Sequence, residues 1–319
     1  MLTILKNHAG IPTLPNLYLR IEPGFDVTRR ARGVEALLHL AAQRHAIDDW
    51  RADAQGLLGG SQPAVGAAAV ILAGAALARP LAQVFMATPL HTQATLTSVR
   101  LPAEGLLRLE AAEARALAED FAALPPADRS PAPTLIAIGA TLLFGFDTAL
   151  EVDSVDPSGL LGFDLREFRP RGAGAAQLAA LGSEVEMWLF GHAVNRDRLR
   201  RGALPITALW PWGGAAVTTG LARMPFALQG EDTILSDWAR RAPPAAGADT
   251  LIVARPERGR SGIDDWLSPH LPALRAGLAR GEGAIHLSHG RRRYSMRRMP
   301  RRWFAPRGRP WWEFFDESD

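Results

Sequence analysis

An imidazole, a carboxamide and a guanidinium follow one another at His192, Asn195 and Arg198, where an apolar helix is expected to end. Arg200 and Arg201 add positive charge directly after them, and Gly213 and Gly214 close a Trp210-Pro211-Trp212 segment downstream. Groups of these kinds can hold an anion. Arginine grips a phosphate through two parallel N–H donors, and a glycine backbone brought close adds further donors. The candidate ligand-binding set is therefore His192, Asn195, Arg198, Trp210, Trp212, Gly213 and Gly214, with a small anionic or phosphorylated molecule as the ligand. A structural reading competes with it on equal terms. In that reading His192 and Asn195 cap a helix, Trp210 and Trp212 are core, and the arginines are merely solvated.

Positioning these groups requires a helix, a stop and a strand. Val185, Trp188 and Leu189 recur at helical spacing and predict one buried face. Gly202 supplies the stop and Pro205 begins an extended segment. Ile206–Trp212 reads as a short buried strand whose two terminal glycines let the backbone approach a neighbour closely.

The remainder of the chain alternates in the same way. Amphipathic helices are expected over Asp26–Arg44 and Ile47–Leu58, the second carrying Trp50, and a buried helix over Ala64–Ala78. That last run is shorter than the roughly 20 residues of a membrane-spanning helix, so no membrane partner is expected. Leu81–Thr88 and Thr92–Leu101 are extended in character, Glu110–Leu124 is helical, and Thr134–Phe146 holds one or two strands. Residues 147–174 give mixed signals and no assignment. Phe226–Gln229 and Thr250–Ala254 read as strands around a helix that includes Leu235 and Trp238. Ile263–Arg280 reads as a helix, and Ala284–Ser288 with Arg293–Arg297 as a hairpin. Strands alternating with helices predict an α/β fold, a mixed sheet flanked by helices. The proline-rich stretch 125–133 suggests a boundary between a region 1–124 and an α/β region 134–299, with an Arg/Trp-rich tail at 300–319.

Composition narrows the chemistry. Hydrophobic residues make up 47% of the chain and charged residues 22%, as in an ordinary globular protein. The net charge is only +3 while the pI is 10.1, because Lys6 is the sole lysine and arginine supplies the rest. A basic pI of that origin is weak support for nucleic acid. The absence of cysteine excludes disulfides, a thiol nucleophile and thiolate metal sites, and suits a cytoplasmic location. The N-terminus lacks the basic and apolar pattern of a secretory signal. There is no phosphate-cradling glycine loop and no G-x-S-x-G elbow. His286 and His289 lie three apart on a predicted strand and face opposite ways, while Asp264, Asp265 and His270 do not share one side of a predicted helix. No cofactor and no metal site are evident. The tail offers a second binding surface, in which Arg297, Arg298, Arg301, Arg302 and Trp303 could neutralise phosphates and stack on bases.

The central stretch also resembles a known pattern. His192, Val194, Asn195, Arg198, Gly202, Pro205, Trp210, Trp212 and Gly213 match, in register, a signature of a bacterial phosphoglycerate-mutase-like group sometimes labelled "regulatory protein, RpfE type". That group is related to the archaeal-type cofactor-independent phosphoglycerate mutases. Ala193 stands where the signature has proline and Thr207 where it has a second asparagine; Ala87–Leu101 is similar to the group's Pro-x-His strand pair. The resemblance implies an alkaline-phosphatase-like α/β fold. Active members use two divalent metals and a transiently phosphorylated serine, and this chain lacks the D-G-x-G-D-like start that goes with them. The expectation is a degenerate relative without mutase catalysis that binds a small anion in a regulatory role. The alternatives are a nucleic-acid-associated regulator acting through its tail, and an active metal-dependent mutase or phosphatase. The sequence does not specify an oligomeric state.

Overall fold

The computed structural model describes residues 16–21, 43–47, 49–59, 65–73, 75, 77, 79–124, 133–217, 220–254, 276 and 284–296. In chain order these form β1 (Leu17–Ile21), β2 (Gln43–Ala46), α1 (Trp50–Leu58), α2 (Ala67–Leu72), β3 (Gln83–Leu90), β4 (Gln93–Ala94) and β5 (Val99–Arg100). Then follow α3 (Ala111–Ala122), β6 (Pro133–Ile138), β7 (Thr141–Phe146), α4 (Ala175–Phe190), α5 (Ala193–Arg200) and β8 (Ala208–Ala216). The last are β9 (Phe226–Gly230), α6 (Thr233–Arg241), β10 (Asp249–Ala254), β11 (Ile285–His289) and β12 (Arg292–Met296). The expected α/β class is observed. Among the described residues no helix is long and apolar enough to cross a membrane.

Two compact units divide these elements, and both ends of the chain contribute to the first: Met1–Pro63, Arg223–Ala239 and Pro243–Asp319. The second comprises Ala64–Ala222 and Arg240–Ala242. This division differs from the linear one expected from the proline-rich stretch. Of that stretch only Pro133 is described, and α3 before it packs on β6 after it within one unit. The reason the first unit is discontinuous is strand pairing. β1 finds its parallel neighbours far along the chain, with Leu17 in register with Thr250 on one side and Ile285 on the other.

The sheet of the first unit runs β2-β12-β11-β1-β10-β9, with β9, β10, β1 and β11 parallel and β12 and β2 antiparallel. Leu17–Ile21 is buried throughout, as a parallel strand covered on both faces requires. α1 lies against β1 and β10, starting at Asp49, whose carboxylate accepts from the Arg51 and Ala52 amides at 2.8 and 3.3 Å. Gln43 and Arg44, expected at the end of a helix, instead pair with β12 as part of β2; residues 26–42 of that helix lie outside those described. The expected helix Ile263–Arg280, apart from Ala276, and everything from Arg297 onward also lie outside them. That includes the tail residues Arg297, Arg298, Arg301, Arg302 and Trp303.

One face of this sheet is polar in its interior. Strand alternation places Tyr18 and Arg20 side by side, in register with His286 and Ser288 of β11. The Tyr18 hydroxyl donates to Asp53 of α1 at 2.9 Å, and Arg293 of β12 reaches the same carboxylate. Arg20 is fully buried, donates to the Gly290 carbonyl at 2.8 Å and sits 5.2 Å from the Trp50 ring. His286 bonds Ser295 at 2.9 Å while His289 donates through Nδ1 to the Ile21 carbonyl at 3.0 Å, so the two imidazoles face different partners as their spacing predicts.

The second unit is built on an antiparallel sheet ordered β6-β7-β3-β8. α3 packs on β6 and β7, α4 on β8, and α2 on β3 and β8. Phe85, Phe144, Leu178, Val185 and Leu189 form its core. Of the buried helix expected over Ala64–Ala78, the described residues are helical at Ala67–Leu72, in a stretch flanked in sequence by Gly66 and Gly74. Residues 147–174 contain two short 3-10 turns, Pro157–Gly159 and Leu165–Phe168, each begun by an aspartate, Asp156 or Asp164, that accepts a following amide.

Burial, and secondarily the Arg20 charge, press the His289 pKa down from 6.5 to about 4 against the pull of the Ile21 carbonyl. The folded state therefore resists a proton that the unfolded chain accepts. The resulting stability is fully present above pH 6.5 and is lost as the pH falls to about 4, by about 2–3 kcal/mol. Urea unfolding of the wild type and of His289→Gln at both pH values is expected to show that much less acid sensitivity in the variant.

Candidate functional site

α4 ends at Phe190, and the chain turns at Gly191 into α5, whose N-cap is His192 with φ −71° and ψ 144°. The imidazole Nδ1 accepts from the Val194 amide at 3.1 Å, which fixes the proton on Nε2, 3.0 Å from an Asp120 carboxylate oxygen. The ring packs edge-on against Trp188 at 4.6 Å between centroids. Burial lowers its pKa and Asp120 opposes that shift, so at neutral pH the ring stays an acceptor and a cap. Ala193 occupies the first helical position, where proline is tolerated but no proline-specific contact is needed.

Asn195 is buried and acts as a surrogate backbone. Its amide nitrogen donates to the carbonyls of Leu189 and Ile206 at 2.8 and 2.7 Å, and its oxygen accepts from the Ile206 amide at 2.8 Å. The end of α4 is thereby tied to the segment that leads into β8. The far side of that segment is held by β3 and its continuation. Thr207 donates to Leu90 and accepts from the Thr92 amide at 2.7 Å, while His91 Nδ1 bonds Pro205 at 3.0 Å. Threonine thus satisfies the position where the resembled signature has a second asparagine.

Arg198 points inward from α5. Its Nε donates to Leu204 at 2.8 Å, and Nη1 meets both oxygens of Glu113 at 3.1 and 2.9 Å. Both side chains are more than nine-tenths buried. Glu113 has two further tasks. It closes the capping box of α3 by accepting from the Glu110 amide at 2.9 Å, and it pairs with Arg201 at 2.6 Å.

Trp210 donates through its indole N–H to the Val155 carbonyl at 2.8 Å and covers the cluster of Leu90, Leu101, Leu160 and Leu165. Trp212 is buried and donates to Thr88 at 2.7 Å. Gly213 and Gly214 together oppose Phe85, because the pairing of β3 with β8 shifts between Val84 and Met86. This is a β-bulge in which Gly213 takes φ +61°. A Cβ on Gly214 would lie 2.4 Å from the Phe85 ring, and one on Gly213 would lie 3.1 Å from Ala67.

The seven expected site residues are therefore gathered in one unit, but they face protein. Backbone groups, Asp120 and Glu113 are the partners of His192, Asn195 and Arg198, and Phe85 and Ala67 lie beside the two glycines. An opening does lie next to them, a groove of about 410 Å³ between α3 and α5. Its charged walls are Glu110, Glu113, Asp197, Arg200 and Arg201, and each arginine is already matched by a carboxylate. The buried polar layer of the first unit escaped the sequence reading. Its one signal was Arg20 within an otherwise apolar strand.

No family model matches the chain. A probable 2,3-bisphosphoglycerate-independent phosphoglycerate mutase of Geobacter sulfurreducens is 31% identical over 100 residues, which are 31% of this chain and 25% of that protein. The likeness thus spans a quarter of the relative's length. A cofactor-independent phosphoglycerate mutase from Thermoplasma acidophilum aligns over 88% of both chains at 14% identity, with a TM-score of 0.35. The PH0037 protein from Pyrococcus horikoshii aligns over 90% of this chain and 88% of its own at 9% identity, with a TM-score of 0.38. Part of the chain is similar in sequence to a phosphoglycerate mutase.

Two substitutions test the structural role of these residues. Arg198→Met removes the inner partner of Glu113, leaving Arg201 and the Glu110 amide on its carboxylate, and is expected to cost about 1–3 kcal/mol of stability in urea unfolding. Adding Glu113→Leu removes the half-satisfied charge, so the double variant is expected to lose less than the sum of the two single changes. Gly214→Ala forces a methyl group onto the Phe85 ring and is expected to cost about 1–3 kcal/mol by the same measurement.

Proposed function

We propose that this chain is a phosphoglycerate-mutase-like protein of the RpfE type, which binds a small anionic or phosphorylated ligand in a regulatory role and lacks mutase catalysis. The partial sequence likeness supports the kinship. The observation that carries the rest is at the carboxyl edge of the parallel strands, where open α/β sheets bind their ligands. There the penultimate residue of β1 is the buried Arg20, β11 ends on an imidazole kept neutral by burial, and the acidic group after β9, Asp232, is already gripped by Arg51 through two nitrogens.

A buried cation at that edge repels a divalent metal and attracts an anion. Among the described residues there is also no group of three or more histidine, aspartate or glutamate side chains that could hold a metal. Phosphoryl transfer of the kind used by the resembled enzymes needs metals to stabilise the attacking and leaving oxygens and an activated nucleophile. In this reading the anion sits near Arg20 and is independent of Arg198.

The test is a mutase and phosphatase assay in manganese, run beside calorimetry with inorganic phosphate and 3-phosphoglycerate. The expected outcome is no turnover above a blank and measurable heat, retained in Arg198→Met and lost in Arg20→Leu judged folded by circular dichroism. Turnover abolished by a chelator would overturn the non-catalytic part. Absence of heat in the wild type would overturn the anion-binding part.

A further inference from the structure

The imidazole of His192 has both ring nitrogens engaged, each by a different helix. Nδ1 accepts from the Val194 amide at 3.1 Å and so caps α5, while Nε2 lies 3.0 Å from the Asp120 carboxylate of α3. The ring itself packs edge-on against Trp188 of α4. One side chain thus joins three helices where the chain turns from α4 into α5. Only the neutral imidazole with its proton on Nε2 fits these contacts.

A second proton changes the contacts unequally. Imidazolium carries a hydrogen on both nitrogens and accepts at neither. The new hydrogen on Nδ1 would face the Val194 N–H, donor against donor, and the cap is lost. The gain on the other side is small. Asp120 is 58% exposed, so water screens its attraction for a charged ring, whereas the His192 side chain is buried and would carry its charge away from water. Arg196, four residues along α5, repels the proton, and the neighbour from α4 is the uncharged Trp188. Burial, opposed by Asp120 and assisted by Arg196, holds the His192 pKa below its ordinary value.

The effect is confined to the start of α5, because the next turns have their own fastenings. Asn195 is tied to Leu189 and Ile206, and Arg198 to Glu113, with no imidazole involved. The first turn depends on the His192 ring for its Val194 amide. Val194 is also one of the residues lining the groove of about 410 Å³ between α3 and α5. We infer that His192 is an acid-sensitive latch, whose protonation releases the first turn of α5 and with it the Val194 wall of that groove.

Amide exchange at Val194, measured by NMR and expressed as protection relative to the free-chain rate, reports the latch. The open turn takes up its proton near pH 6.5, the ordinary value for histidine, and the closed turn does so only at lower pH. Opening therefore becomes more favourable as the pH falls through 6.5. Protection at Val194 is expected to fall about threefold or more between roughly pH 7.5 and 5.5, while Leu117 on the buried face of α3 keeps its own. His192→Asn caps with an amide oxygen that does not titrate and is expected to show no such fall. Asp120→Asn, an exposed change, removes the pull on the proton in the closed state and is expected to enlarge the fall. Equal protection of Val194 at the two pH values overturns the inference. So does a fall of the same size in His192→Asn, or one shared by Leu117, which marks unfolding of the whole unit.

Discussion

The second unit closes on one carboxylate. Glu113 begins α3 by completing its capping box, receives the inward guanidinium of Arg198 from α5, and binds Arg201 at the rim. An acid buried to this degree is tolerable only when its charge is met at close range and its lone pairs are used. Arg198 supplies the charge from inside, and the Glu110 amide and Arg201 occupy the rest. The position of α5 relative to α3 is therefore set by electrostatic necessity more than by apolar contact. Once α5 is held, Asn195 lies within reach of Leu189 and Ile206, and the path into β8 is determined.

A similar constraint governs the first unit. Its parallel strands read as apolar runs, yet Tyr18, Arg20, His286, Ser288, Arg293 and Ser295 place polar atoms on one interior face. Asp53 gathers part of that layer, and its pKa is raised by burial in spite of Arg293. Such a layer costs more to assemble than hydrocarbon of the same volume, because every member needs a partner in good geometry. The layer runs the length of the strands, from Tyr18 and His286 near their starts to Arg20 and Ser288 near their ends, so it ties β1, β11, β12 and α1 together along one face.

What the sequence disclosed and what it withheld follow from the range of the interactions concerned. Helical spacing exposed α1, α3, α4 and α6, and extended runs bounded by turn residues exposed β3 and the β11–β12 hairpin, because these patterns are local, whereas Thr92–Leu101 holds only the two-residue strands β4 and β5. Gly202 marks the end of α5 in the sequence, but its start is harder to place, since histidine is a rare cap and its partner amide is two residues on. The purpose of Arg198 depends on Glu113, which lies in another helix and has no sequence relation to it. Gly213 and Gly214 signalled close approach correctly. Spacing alone could not tell whether a ligand or the Phe85 ring was the thing approached.

That distinction bears on how the motif should be read. Of its matching residues, His192 caps a helix, Asn195 imitates a backbone, Arg198 neutralises a buried acid, Trp210 and Trp212 seal core clusters, and Gly213 makes a bulge. Each task is one that a chain must perform to fold in this way, whatever its chemistry. A signature made of such residues transmits architecture and says little about reaction. A chain can therefore match it in register because it folds this way, whatever reaction it does or does not carry out.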